Sequence, residues 1–433
     1  MLMLARALDL RSGWHRLSSP YREHTARNPD KDTMSGPTPP SQDSRFLTRL
    51  ESVRGCAALM VAITHSFAIF SYASDQYPLQ ATLQLWVHIL FQGTSALITF
   101  FVISGYVLSL SLDRSETNFR NILIFYMRRI FRIFPAHIVW MFIALGLLIF
   151  FYEPHTNPVA DGWFNQMNNG PMNLTIFIMN LALVITSLIP GEWTLTLELI
   201  VYLIYPLMYV LYKRGGVTGN ILLLVLLMAC SYLFGEIRLL HYLIAFYWGL
   251  ATPQLYKRFI ERISDRTGTV LLWTSIFLLF VFPILQKKLP FATLMVQLVT
   301  GGFVIFSCIY MTRDRAFFRF LDGVRIQRMG QISYSFYISH FLINYWVAYA
   351  LFRLVGFQTA GEIRFLFMAV VAVISITIAH KVASLSYDKV EAPTMKYSSN
   401  LSKRWRKRSG DAKASITGVD GENPGADGTA QKA

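Results

Sequence analysis

The chain has 433 residues, of which 54 % are hydrophobic, 15 % aromatic and only 15 % charged. Soluble domains carry about 25 % charged residues, so a water-facing surface of this size cannot be covered. A mean hydropathy of +0.40 agrees, and the composition excludes a disordered chain, a coiled coil and an ordinary cytosolic enzyme in favour of a multi-span membrane protein. The net charge of +15 fits basic loops against anionic lipid, or an anionic substrate, better than nucleic acid in so apolar a chain. Cys56, Cys230 and Cys308 lie in apolar runs and read as small hydrophobes, with neither a disulfide framework nor a metal site expected.

In chain order, residues 1–45 form a polar, basic tail expected to be disordered, with no cleaved signal segment. Residues 46–397 form the hydrophobic domain, and 398–433 a second disordered tail opening on the basic run Lys403–Arg408. At about 20 apolar residues per span, eleven candidates stand out. They are Val53–Tyr72, Ala96–Leu112, Phe134–Tyr152, Leu174–Pro190, Trp193–Tyr212, Asn220–Phe234, Leu239–Tyr256, Thr269–Gln286, Phe291–Met311, Ile332–Val355 and Ile363–Val382.

The positive-inside rule prunes this number. The loop at Asp75 and Gln76 and the loop Glu153–Asn173 lack Lys and Arg, whereas Arg114, Arg120, Arg128 and Arg129 cluster between them. If Leu174–Pro190 crossed, Lys213, Arg214 and the later basic loops would fall outside; if it does not, only Lys287, Lys288 and Arg364 are exceptions. The fold expected is therefore an all-α integral membrane bundle of about ten transmembrane helices plus one re-entrant or interfacial segment, with both termini cytoplasmic.

Ionisable groups within spans mark candidate sites. His65, Glu198, His340 and His137 qualify, the last placed near the cytoplasmic end of its span. His65 lies eleven residues past Arg54, roughly 16 Å along a helix; Glu198 lies five residues past Trp193, roughly 8 Å from the opposite interface. The two are expected at similar depth, as a general base and its orienting acid or as a packing pair. Arg128, Arg129 and Arg132 in Y-M-R-R-I-F-R-I-F-P suit a phosphate clamp, or simply topology and lipid headgroups.

At these residues the chain resembles the acyltransferase 3 family of integral-membrane acyltransferases. The resemblance rests on L-E-S-V-R-G-C-A-A-L-M-V-A-I-T-H (Arg54, His65), F-F-V-I-S-G-Y (Phe100–Tyr106), Arg129, Arg132 and Pro135, and W-T-L-T-L-E-L-I-V-Y (Trp193, Glu198, Tyr202). It continues through the G-x-x-S-Y-x-x-Y-x-x-H run Gly330–His340 to Glu391 and Pro393. Thr194 stands where the family has Ser, and Leu199 where a second acid is frequent, so no paired-carboxylate mechanism is available.

The resemblance implies an O-acyltransferase without a fused SGNH domain. It would carry an acyl group, most often acetyl, from acyl-CoA to a carbohydrate or glycolipid hydroxyl. Arg54, Arg128, Arg129 and Arg132 would hold the CoA phosphates and His65 would act with Glu198. Trp193, Thr194, Tyr202 and His340 would touch substrate, with His340 read alternatively as a second acid–base group or as a structural hydrogen bond. Ser104 is read as a packing residue rather than a nucleophile. Membrane lipids are expected partners, nucleic acid and metal are not, and a bacterial inner membrane is the expected location. The alternative is a multi-span permease for a glycan or lipid-linked sugar.

Overall fold

A chain this apolar can only satisfy its backbone inside lipid by forming helices, and helices are what the computed structural model contains. It describes residues 42–70, 77–113, 118–154, 157–167, 170–234, 237–259, 262–285, 289, 291–312 and 316–417. The tail up to Ser41, the loop at Asp75 and Gln76, Arg114, Lys287, Lys288, Arg313 and the tail from Gly418 lie outside the described residues.

The helices are α1 (Gln42–Ser66), α2 (Pro78–Phe91), α3 (Gly93–Asp113), α4 (Phe119–Phe151), α5 (Gly162–Gln166), α6 (Leu174–Leu181), α7 (Trp193–Arg214) and α8 (Gly216–Leu233). They continue as α9 (Arg238–Phe259), α10 (Asp265–Leu285), α11 (Ala292–Thr312), α12 (Val324–Gln331), α13 (Ser333–Val355), α14 (Phe357–Glu362), α15 (Arg364–Ser386) and α16 (Ala392–Thr417). Each of the ten expected spans overlaps one helix of 18 to 33 residues. Six helical stretches among the described residues are long and apolar enough to cross a membrane by length and composition.

The polarity of the bundle is inverted relative to a soluble protein. On α7, Ile200, Leu203, Leu207 and Leu211 are exposed, whereas Tyr202, Tyr205, Tyr209 and Tyr212 are buried. An apolar outer stripe with polar groups turned inward is stable only against hydrocarbon. The protein is an all-α, multi-pass membrane protein.

Leu174–Pro190 does not form a spanning helix. α6 has eight residues, about 12 Å of rise against a core of about 30 Å. It ends at Leu181, and two residues on Leu183, with a φ of 55°, lies in the left-handed region that β-carbons disfavour. Asn180 holds the returning chain, donating to Ser187 Oγ (3.1 Å) and accepting from the Leu188 amide (3.0 Å). The chain thus re-enters at Pro190, and the far end of α7 arrives beside the far end of α3, with Lys213 Nζ 2.8 Å from Asp113 Oδ1.

Three boundaries differ from the sequence reading. α1 begins at Gln42, because Arg49, 1 % exposed, pairs with Asp322 through two hydrogen bonds of 2.7 and 2.6 Å and ties the polar extension down. α4 begins at Phe119, its basic residues continuing the helix before the apolar run expected from Phe134. The chain is helical over Ala392–Thr417, where a disordered tail was expected from 398. Ser398 and Ser402 are buried there, and Ser402 Oγ accepts from Arg128 Nε at 3.0 Å.

Two glycine contacts set the bundle around the site. A β-carbon at Gly249 would lie 2.1 Å from the Val102 carbonyl oxygen, and one at Gly105 2.4 Å from that of Phe246, so α3 and α9 touch backbone to backbone. Gly55 and Gly330 do the same for α1 and α12. Gly249→Ala should therefore force α3 and α9 apart at about 1–3 kcal/mol and lower the melting temperature in detergent. Gly146→Ala, which meets nothing within 4 Å, should leave stability equal or raise it by about 0.5–1 kcal/mol.

Candidate active site

Residues Arg54 and His65 lie on α1 eleven positions apart, which is about three helical turns. They share one face, separated by roughly 16 Å along the axis. Each opens onto a different cavity. Arg54 lines a narrow one of about 60 Å3 together with Arg129, Arg132, Ser104, Glu198 and Tyr202. His65 lines a wider one of about 420 Å3 with Thr64, Trp163, Trp193, Tyr242 and Phe341. Leu97 and Tyr337 line both.

The arginine cavity has three guanidinium groups against one lining carboxylate. Thr194, Glu198 and Tyr202 follow at four-residue intervals and present one face of α7. Glu198 Oε1 accepts from Ser104 Oγ at 2.6 Å and from the Tyr202 hydroxyl. The carboxylate also acts electrostatically on Arg54, Arg129 and Arg132. Arg129 lies over the Phe125 and Tyr202 rings, 5.4 and 5.6 Å from their centroids. Its Nε is buried without a hydrogen-bond partner, an unmet donor of the kind an anion satisfies. Glu391, buried in the π-helical turn Tyr387–Glu391, accepts from Ser335 Oγ at 3.0 Å and acts on Arg132 and Arg54 from below the clamp.

The histidine cavity is aromatic. His65 Nδ1 lies 3.1 Å from His340 Nε2, with the two rings within 6° of parallel. Phe341 meets His65 edge-on at 5.0 Å. Thr194 donates to the Tyr337 hydroxyl at 3.0 Å, at the boundary of the two cavities. Trp163, Pro190 and Phe341 also line a third cavity of about 500 Å3.

Most of the expected residues therefore come together, with three corrections. His65 bonds to His340, and Glu198 bonds to Ser104 and Tyr202 in the cavity of Arg54 and not in that of His65. Arg128 turns away from the clamp toward Ser402, because the tail helix α16 packs against α4 on that side. Ser104 is a hydrogen-bond donor at the site, and close helix packing falls to its neighbour Gly105.

The sequence reading also missed two acidic groups. Glu192, 1 % exposed, bonds through Oε1 to His137 Nδ1 at 3.1 Å. Glu391 had been matched as a motif residue without a role. The Pro-Gly-Glu-Trp turn was the available signal for Glu192, since an acid beside an apolar helix start must find a partner.

The profile of the family described as acyltransferase domain matches residues 47–380. Acyltransferase MdmB of Streptomyces mycarofaciens is 30 % identical over 172 residues, which are 39 % of this chain and 40 % of that protein. The chain thus spans less than half of that relative's length. No solved structure matches the chain.

The His137–Glu192 pair lies apart from both cavities, and its expected effect is on folding. His137→Ala leaves a carboxyl group buried and unpaired, at about 3–5 kcal/mol, and should reduce monodisperse protein recovered in detergent. His137→Leu combined with Glu192→Leu should recover much of that loss. Equal yield and melting temperature for parent and His137→Ala would show that the pair contributes nothing.

Proposed function

This chain belongs to the acyltransferase domain family, which it matches over residues 47–380, and from that premise we propose that it moves an acyl group from acyl-CoA to a carbohydrate hydroxyl. Acetyl is the proposed group, and the donor approaches from the arginine side. That side faces the cytoplasm, as the positive-inside rule requires, with both termini cytoplasmic and a bacterial inner membrane as the setting. One observation carries the reading: a single helix places Arg54 in one cavity and His65 in the next, and the two cavities share Leu97 and Tyr337.

Arg54, Arg129 and Arg132 bind the donor's phosphates, the unmet Nε of Arg129 supplying a charge-assisted donor. Glu198, held by Ser104 and Tyr202, keeps the three like charges together. The narrow cavity of about 60 Å3 holds about two waters, so the acyl arm passes only when its lining side chains part. On the far side Trp163, Trp193, Tyr242 and Phe341 offer apolar faces on which sugar rings stack, with Thr64 and Thr94 for their hydroxyls.

His65 takes the proton from the acceptor hydroxyl as its oxygen attacks the thioester carbonyl carbon. The carbon–sulfur bond then breaks, and the departing thiolate takes that proton from His65. The ester product and the free thiol balance the reaction without a further reagent.

Purified protein in detergent should hydrolyse or transfer from labelled acetyl-CoA. Arg129→Ala and Arg132→Ala should each weaken donor binding by about 1.5–3 kcal/mol, roughly 10- to 150-fold. Lysine at either position should rescue in part, and Arg128→Ala should leave donor affinity unchanged. His65→Ala should lower transfer by about 10²- to 10⁴-fold with donor affinity intact. Unchanged CoA affinity in both arginine variants would remove the clamp from this reading, and full specific activity in folded His65→Ala protein would remove the base.

A further inference from the structure

His340 is the most buried polar group against His65, and its surroundings fix which of its nitrogens carries hydrogen. It is 2 % exposed and is wedged between Phe336, stacked at 5.9 Å, and Phe341, edge-on at 6.4 Å. Its Nδ1 faces the Tyr337 carbonyl oxygen at 2.6 Å and that of Phe336 at 3.3 Å. Carbonyl oxygens only accept, so Nδ1 of His340 is the protonated nitrogen. In the neutral ring Nε2 is then the acceptor. The atom 3.1 Å from it is His65 Nδ1, which must therefore be a donor. A neutral His65 with hydrogen on Nδ1 keeps its lone pair on Nε2.

We propose that His340 is a positioning residue that locks His65 in the tautomer whose Nε2 is free to accept a proton. The chain of command runs from the helix backbone of α13 through His340 Nδ1–H, His340 Nε2 and His65 Nδ1–H. Nothing in it requires a carboxylate, which accounts for Glu198 being engaged elsewhere. The ring–carbonyl contact is built into α13, because a side chain reaches back toward carbonyls three and four residues earlier. Two neutral rings also suit this apolar pocket better than an imidazole–carboxylate ion pair, whose charges lose their hydration there. His88 and the Tyr242 and Tyr337 hydroxyl groups are the other titratable groups lining the cavity. The inference rests on His65 being the base in the reaction proposed above.

The test has a spectroscopic arm and a kinetic arm. With ¹⁵N-labelled histidine, the His65 signals, identified by their loss in His65→Ala, should show a protonated Nδ1 and an unprotonated Nε2 near neutral pH. In His340→Phe, which keeps ring volume but removes the acceptor, the two His65 tautomers should mix. The same variant should lose roughly 10²- to 10⁴-fold in kcat with KM for acetyl-CoA within about twofold of the parent. His340→Gln carries an acceptor oxygen near the position of Nε2 and should regain at least tenfold over His340→Phe. If His340→Phe does not fold, the parent spectrum and the glutamine variant decide. An unprotonated Nδ1 on His65, or kcat for folded His340→Phe within threefold of the parent, would overturn the proposal. Full activity in His65→Ala would instead overturn the base assignment itself, so the two failures are separable.

Discussion

Hydrocarbon offers no hydrogen bonds, so every polar group carried into it must find its partner within the bundle. That constraint organises the interior of this protein. Glu198 is met by Ser104 and Tyr202, Glu391 by Ser335, and Glu192 by His137. His65 is met by His340, which is met in turn by a backbone carbonyl. Each partner comes from a different element or from an adjacent turn of the same helix, so the polar contacts and the helix packing specify one another. The unpartnered Nε of Arg129 belongs to the cavity where the other two arginines converge.

The backbone contacts make the polar ones possible. At Gly105–Gly249 and Gly55–Gly330 helices approach to a distance that excludes a β-carbon. In a bilayer such contact replaces the hydrophobic driving force that would hold a soluble core together. The α3–α9 contact sits one residue from Ser104, and the α1–α12 contact one residue from Arg54. The glycines thus fix the height and rotation of the site residues beside them. They also explain why the motif segments carry glycine beside their functional residue.

Composition and charge asymmetry were enough to read an all-α membrane bundle and to keep Leu174–Pro190 from being counted as a span. The reason is that hydropathy and loop charge report on the same boundary, the water–hydrocarbon interface. The constellation Arg54, Arg129, Arg132, Glu198 and Tyr202 was legible because each member is costly in lipid or sits at a fixed helical interval from one that is. What sequence left open was lateral placement. Depth along a helix follows from counting residues, but which neighbours a side chain meets depends on how helices are arranged around the bundle. Pairing His65 with Glu198 failed because Glu198 lines the cavity of Arg54 and not that of His65, and Arg128 joined the clamp on paper because the tail helix that draws it away was not foreseen. α2 escaped notice because its 14 residues fall short of a span. The tail helix α16 escaped because its polar composition hides the burial of Ser398 and Ser402.

The stretch of α1 between Arg54 and His65 behaves as a ruler. An α-helix neither stretches nor twists at modest cost, so the ten residues between them set both a length and an angle. Changing the side chains there alters packing, but inserting or deleting one residue rotates His65 by about 100° relative to Arg54. That rotation carries the imidazole off His340 while the arginine stays in its own cavity. The segment is therefore closed to insertion or deletion, and it is open to substitution only away from Gly55, whose contact with Gly330 leaves no room for a β-carbon; any chain that uses this helix in the same way must keep its count.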